Sequence, residues 1–266
     1  MLVLLCGGEN PPVLSPLLST RRSTSASKSL AEQFQPIVTI HETLRQRAHV
    51  ELDVATARER IRSGRPGFDA ATLLRNAGDL SRPFHRAAAA FERIGIASTT
   101  ELAALRRESL DTTALVASWA NGESLPRNPA LRLARSVAAI IGNAVLSRAA
   151  TTVGESFSFA AWKRPLCPCC GASPDLALST DRRRSLICWR CDTMWRTSRL
   201  GCLGCGADSS PTLVRIASPY GYELAICHSC GRYLKERRGA PTQSLIVERA
   251  LTASLDEAAE LRGLRV

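Results

Sequence analysis

Eight cysteines of this 266-residue chain stand in four ordered CxxC pairs: Cys167/Cys170, Cys188/Cys191, Cys202/Cys205 and Cys227/Cys230. Two thiolates separated by two residues can turn inward on a tight knuckle and grip one metal ion. Backbone amides of that knuckle then donate hydrogen bonds to the sulfurs. Gly171, Gly206 and Gly231 each follow the second cysteine of a pair, where a positive φ costs glycine nothing. Pro168 presets the other side of the first turn. Two knuckles make one tetrahedral S₄ site, so eight ligands make two.

The intervals favour sequential pairing. Seventeen residues separate Cys170 from Cys188 and 21 separate Cys205 from Cys227, each enough for a small β-ribbon. Only ten separate Cys191 from Cys202, which suits a linker. Knuckles one and two therefore pair, as do three and four, with interleaved pairing as the alternative. Disulfides would require an oxidising compartment, and a thioredoxin-like dithiol would need CxxC inside a βαβ unit. No export signal is convincing, which weighs against the first, and four copies in a glycine-rich stretch argue against the second. The expected cofactors are two metal ions in Cys₄ sites, zinc or a rubredoxin-type iron, which spacing alone does not separate. A closed S₄ shell leaves no position for water, so the sites are structural or redox rather than hydrolytic. Cys169 falls outside the CxxC register and is expected to point away from the metal. Cys6 has no partner, and His228 inside the fourth knuckle reads as a surface residue.

The net charge of +11 raises a nucleic-acid reading. Only three of the 35 basic residues are lysine, a habit of the whole chain rather than one built patch. Residues 163–240 hold 13 basic and 6 acidic residues, a net +7, with no long basic run. Nucleic acid is therefore not the expected partner. No stretch approaches the roughly 18–20 apolar residues of a membrane span. The opening Met1–Gly7 lacks a basic n-region, and its apolar run is short for a signal peptide. Residues 1–28, rich in Ser, Pro and Thr, read as a disordered extension. A cytoplasmic location with reduced thiols follows.

The elements that must position the cysteines divide by composition. Residues 29–161 carry helical punctuation. Ile37, Ile40, Leu44, Ala48, Leu52 and Ala55 form one stripe, predicting a long helix that stops near Gly64. Short helices follow from Asp69, Ser81, Thr100 and Asp111. Asn128-Pro129 opens a helix apolar around most of its girth, the expected centre of a bundle. His41, His49 and His85 have no ligand cluster beside them and read as surface or packing residues. Residues 163–199 and 200–240 read as two metal ribbons, with strands at Leu176–Leu178, Ser185–Cys188, Thr212–Ile216 and Glu223–Cys227. Residues 241–266 read as a terminal helix. The fold class is thus α+β: a helical bundle, two rubredoxin-like or zinc-ribbon modules, and a C-terminal helix.

At its cysteines the chain resembles the FdhE family, accessory proteins for formate dehydrogenase formation. The resemblance rests on CPCCGASP (Cys167–Pro174), LICWRCDTMWRTSRLGCLGC (Leu186–Cys205) and CHSCGRYLK (Cys227–Lys235), and on the tail Ala250–Arg265. Trp195, Arg199, and Tyr233-Leu234-Lys235 stand where family members carry a Trp, an Arg and Tyr-Leu-Lys. Met194 departs from the acidic residue usual before the tryptophan. Ser244–Ala250 (SLIVERA) lacks the family's acidic pair. The resemblance implies a non-enzymatic, cytoplasmic assembly factor that binds the catalytic subunit of a molybdenum-dependent formate dehydrogenase. Trp195, Arg199, Tyr233 and Lys235 are the expected partner-binding residues, with a cleft between the ribbons near Arg199 and Tyr233 as the contact. Packing is the alternative role for Trp195, Arg199 and Tyr233, and a solvated charge that for Lys235. Two rival readings are a zinc-ribbon nucleic-acid binder, supported by Arg182-Arg183-Arg184, and an iron-dependent redox or thiol factor.

Overall fold

The computed structural model describes residues 24–122, 129–180, 183–198, 201–208, 213–217 and 221–265. Seven helices come first: α1 (Thr24–Arg47), α2 (Val54–Arg62), α3 (Ala70–Arg75), α4 (Ser81–Arg93), α5 (Thr99–Arg107), α6 (Thr112–Ala120) and α7 (Pro129–Ser156). A short 3₁₀ turn, Phe159–Ala161, leads into six strands: β1 (Pro174–Thr180), β2 (Arg183–Cys188), β3 (Met194–Thr197), β4 (Leu213–Ala217), β5 (Tyr222–Cys227) and β6 (Arg232–Arg238). Helices α8 (Leu245–Leu251) and α9 (Ala253–Glu260) close the chain. Residues 1–23, most of the stretch read as an extension, lie outside the described residues, as do Cys6 and Arg199.

Helix α7 is the bundle axis, as its all-round apolarity implies. Val137, Ile141, Val145, Leu146 and Val153 are fully buried, and α1 to α6 pack around it. It is long and apolar enough to cross a membrane, yet 78% of that apolar window is buried inside the fold. Gly142 lets the α6 indole in, because a Cβ there would collide with the Trp119 ring.

The predicted long first helix divides into α1 and α2. Asp53 adopts extended backbone and its carboxylate accepts from the amides of Ala55 and Thr56, which restarts the helix at Val54. The same apolar stripe continues through the break, so periodicity alone does not reveal it. Ser98 and Glu101 form the full reciprocal cap of α5, and Asp69 and Asp111 cap α3 and α6.

The two ribbons are joined rather than separate. β1 and β6 pair in parallel, giving one six-stranded mixed sheet in the order β3-β2-β1-β6-β5-β4. Joining them removes two of the four sheet edges, each of which would otherwise expose unpaired amides. One face carries Leu176, Ile187 and Tyr222 with Leu224, Ile226 and Tyr233, and packs under Leu245, Leu255 and Ala259 of the terminal helices. Ala177, Leu186 and Leu234, each adjacent in its strand to one of these residues, belong to the core shared with the bundle. The terminal helix breaks at Thr252, whose hydroxyl bonds to the carbonyls of Glu248 and Arg249.

Candidate metal centres

The sulfurs gather into two groups, Cys167/Cys170/Cys188/Cys191 and Cys202/Cys205/Cys227/Cys230, with all Sγ atoms of a group within 4.8 Å of one another. This is the sequential pairing, and the interleaved alternative is absent. Cross-knuckle Sγ–Sγ distances are 3.5 Å for Cys167–Cys191, Cys170–Cys188, Cys202–Cys230 and Cys205–Cys227. A disulfide needs about 2.05 Å. A tetrahedron of sulfurs about 2.3 Å from a central ion has edges of about 3.8 Å, so the donor set fits zinc or a single iron.

The knuckles are built as their sequences imply. Gly171, Gly206 and Gly231 sit at φ +77, +84 and +66°, and their amides bond to the carbonyls of Cys167, Cys202 and Cys227. The second knuckle has Asp192 in that place at φ +56°, the one non-glycine residue with positive φ among the described residues. Its amide makes the equivalent bond to the Cys188 carbonyl. Its carboxylate accepts from Asn143 Nδ2 at 3.1 Å and from Arg249 Nη1 at 2.7 Å. Aspartate tolerates this backbone better than most residues, and the two bonds hold it there.

Arg249 is the residue that sequence reasoning passed over. From α8 it forks onto Asp175 (Nε–Oδ2 2.7 Å, Nη2–Oδ1 3.2 Å), reaches Asp192, and donates to the Cys188 carbonyl at 3.0 Å. Burial opposes its charge, but Asp175 and Asp192 outweigh burial and raise its pKa. On the bundle side, His41 Nε2 lies 2.6 Å from Asn143 Oδ1, while Asn143 Nδ2 donates to Asp192 and to the Arg190 carbonyl. A polar relay therefore runs from α1 through α7 and the second knuckle to β1 and α8. His41 has a packing role, at 3% exposure, and His228 is exposed, each as expected.

The first centre is also clamped by backbone. The amides of Gly67 and Phe68 donate to the carbonyls of Pro168 and Cys169, and Trp189 meets Trp119 edge-on at 5.3 Å. Cys169 is fully buried within this clamp and is not one of the four gathered sulfurs.

Three of the four expected partner-binding residues are engaged inside the fold. Trp195 is 2% exposed and Tyr233 5%. Tyr233 Oη donates to Asp256 Oδ1 at 2.9 Å, and the buried Lys235 Nζ donates to Asp256 Oδ2 at 2.6 Å. The Tyr-Leu-Lys motif thus bolts β6 to α9. The expected inter-ribbon cleft is closed by the β1–β6 pairing. What remains beside Tyr233 is a cavity of about 40 Å³ lined also by Arg184, Cys202 and Leu234. A larger recess of about 400 Å³ lies between α1, α7, the second knuckle and the start of α8, with His41, Arg45, Asp192 and Met194 on its walls. Of the Arg182–Arg184 triplet, Arg182 lies outside the described residues, Arg183 is exposed and Arg184 is buried against Glu236 at 3.0 Å.

Asp192 gives a graded expectation. Asp192→Ala keeps an unfavourable φ and leaves Arg249 with one carboxylate, costing about 3 kcal/mol. Asp192→Gly restores the backbone but not the bonds, and Asp192→Asn keeps an acceptor. Urea unfolding should rank stability as Asn above Gly above Ala.

Fold and site together define a helical bundle fused to a sheet that carries two Cys₄ sets. No family model matches the chain. It is similar to a protein named FdhE homolog from Stutzerimonas stutzeri (strain A1501), 34% identical over 77 residues, 27% of this chain and 25% of that protein. The match thus spans about a quarter of that relative. The fold is similar to the crystal structure of the FdhE protein from Pseudomonas aeruginosa, with TM-score 0.60 and 18% identity, covering 90% of each chain. Both matches carry the FdhE name, the second on the fold alone.

Proposed function

We propose that this chain is a non-enzymatic accessory protein for formate dehydrogenase, acting in the cytoplasm on the catalytic subunit during maturation. The supporting observation is a 77-residue sequence match to a protein named FdhE homolog together with an FdhE-like fold over 90% of the chain. The closed S₄ arrangement is consistent with a scaffold, since four sulfurs around one ion leave no open coordination position.

Each set would hold one ion, zinc or iron, through its four thiolates. Bound metal would cross-link the two knuckles of each set, in a sheet whose strands already share buried cores with the bundle and the terminal helices. In this reading Trp195, Tyr233 and Lys235 serve binding by holding the sheet and α9 in shape, and Arg199 stays the proposed direct contact.

Pull-down of the purified formate dehydrogenase catalytic subunit by this protein tests the assignment. Capture is expected for wild type, with weaker capture for Arg199→Ala. No capture by metal-loaded wild type would refute it. Steep loss of affinity for DNA or RNA between about 50 and 200 mM salt would favour the nucleic-acid rival instead.

A further inference from the structure

The two centres differ in access. At the first, Cys167, Cys170, Cys188 and Cys191 are 0, 7, 0 and 1% exposed. They lie under the bundle, with the Gly67 and Phe68 amides on one knuckle and Asn143 and Arg249 on the other. At the second, Cys205 is exposed and Cys230 half-buried. The knuckle tips beside them, Gly204 to Gly206 and His228-Ser229, are exposed as well. Contacts among the described residues there include Arg184 on the Gly201 carbonyl and Arg265, whose amide bonds to the Gly231 carbonyl and whose Nη2 lies 3.5 Å from the Cys230 carbonyl.

We propose that the second centre is a metal-exchange site, whereas the first is a permanent staple. The inference rests on the reading that both sets hold metal. Ligand substitution at a closed S₄ centre needs an incoming donor to reach the ion as one sulfur leaves. At the second centre Cys205 Sγ is the leaving ligand. The incoming thiolate or chelator nitrogen takes its place on the ion, and the freed thiolate collects a proton from water. No electron changes hands. Repeating the step at Cys230 and then at Cys202 and Cys227, each freed thiolate collecting a proton from water, passes the ion to the acceptor. At the first centre all four cysteines are buried, with Cys191 at the wall of the recess between α1, α7 and α8, so an incoming donor would have to displace a covered ligand. The partner class is therefore a thiol- or nitrogen-bearing metal acceptor, or the donor that fills the site in reverse.

The test uses the full chain reconstituted with Zn²⁺ and freed of excess metal, with 4-(2-pyridylazo)resorcinol as the acceptor. One equivalent is expected to transfer quickly while circular dichroism stays unchanged. The second is expected about 10–100-fold more slowly, together with unfolding. Cys205→Ser should abolish the fast phase and leave the slow one, and Cys230→Ser should do the same. Release of both ions in one phase, or a fast phase that persists in both variants, would overturn the inference while leaving the two-centre reading intact. Failure to bind zinc at all would overturn both.

Discussion

Arg249→Ala is expected to destabilise the protein by about 3–5 kcal/mol, because it strands two carboxylates where water does not reach well. The Asp175 side chain is 3% exposed and that of Asp192 13%, and each gives its short ion pair to this guanidinium. The Cys188 carbonyl loses a donor in the same step. A drop of this size corresponds to a melting shift on the order of 10 °C for a chain this long. Arg249→Lys should recover only part of it, since an ammonium cannot fork onto Asp175 while reaching Asp192. The charge-free combination Arg249→Met, Asp175→Asn, Asp192→Asn should be more stable than Arg249→Ala, because no ion is left unpaired. If Arg249→Ala melts with the wild type, the guanidinium is not what joins α8 to the first knuckle pair.

The second large effect concerns the first centre. Cys170→Ser removes a ligand from an ion on which three layers converge: the bundle through Asn143 and Trp119, the sheet through β1 and β2, and α8 through Arg249. Structural zinc contributes on the order of 10 kcal/mol in small domains, which matches the whole stability of an ordinary fold. Cys170→Ser should therefore lose the near-ultraviolet signal of the Trp119–Trp189 contact, along with cooperative unfolding. Cys205→Ser, at the exposed centre, should keep both. Equal behaviour of the two variants would mean that the bundle does not depend on the buried ion.

Much of this architecture was legible in the chain. The cysteine spacing foretold the sequential pairing of the sulfurs, the caps Asp69 and Asp111 marked α3 and α6, and Pro129 marked the first residue of α7. The long β6 was not, because a strand reading Arg-Tyr-Leu-Lys-Glu-Arg-Arg looks solvated. Lys235 and Glu236 are tolerable inside because Asp256 on α9 meets the first and Arg184 on β2 and Arg215 on β4 meet the second, partners 21, 52 and 21 residues away. The fusion of the ribbons depends on that strand, so it was hidden for the same reason. Burial of Tyr233 and Lys235 follows from their shared acceptor Asp256. The family motif identified which residues matter without showing that they face inward. Asp192 carried a signal in hindsight: three knuckles follow their second cysteine with glycine and one with aspartate, so something must hold that aspartate.

The most direct measurement is metal content by mass spectrometry of the reduced protein, reconstituted without oxygen and separated from free ions by gel filtration. Two ions per chain are predicted for the wild type, and one when Cys202 and Cys205 are both replaced by serine. A wild-type value far below two would contradict the account at its root.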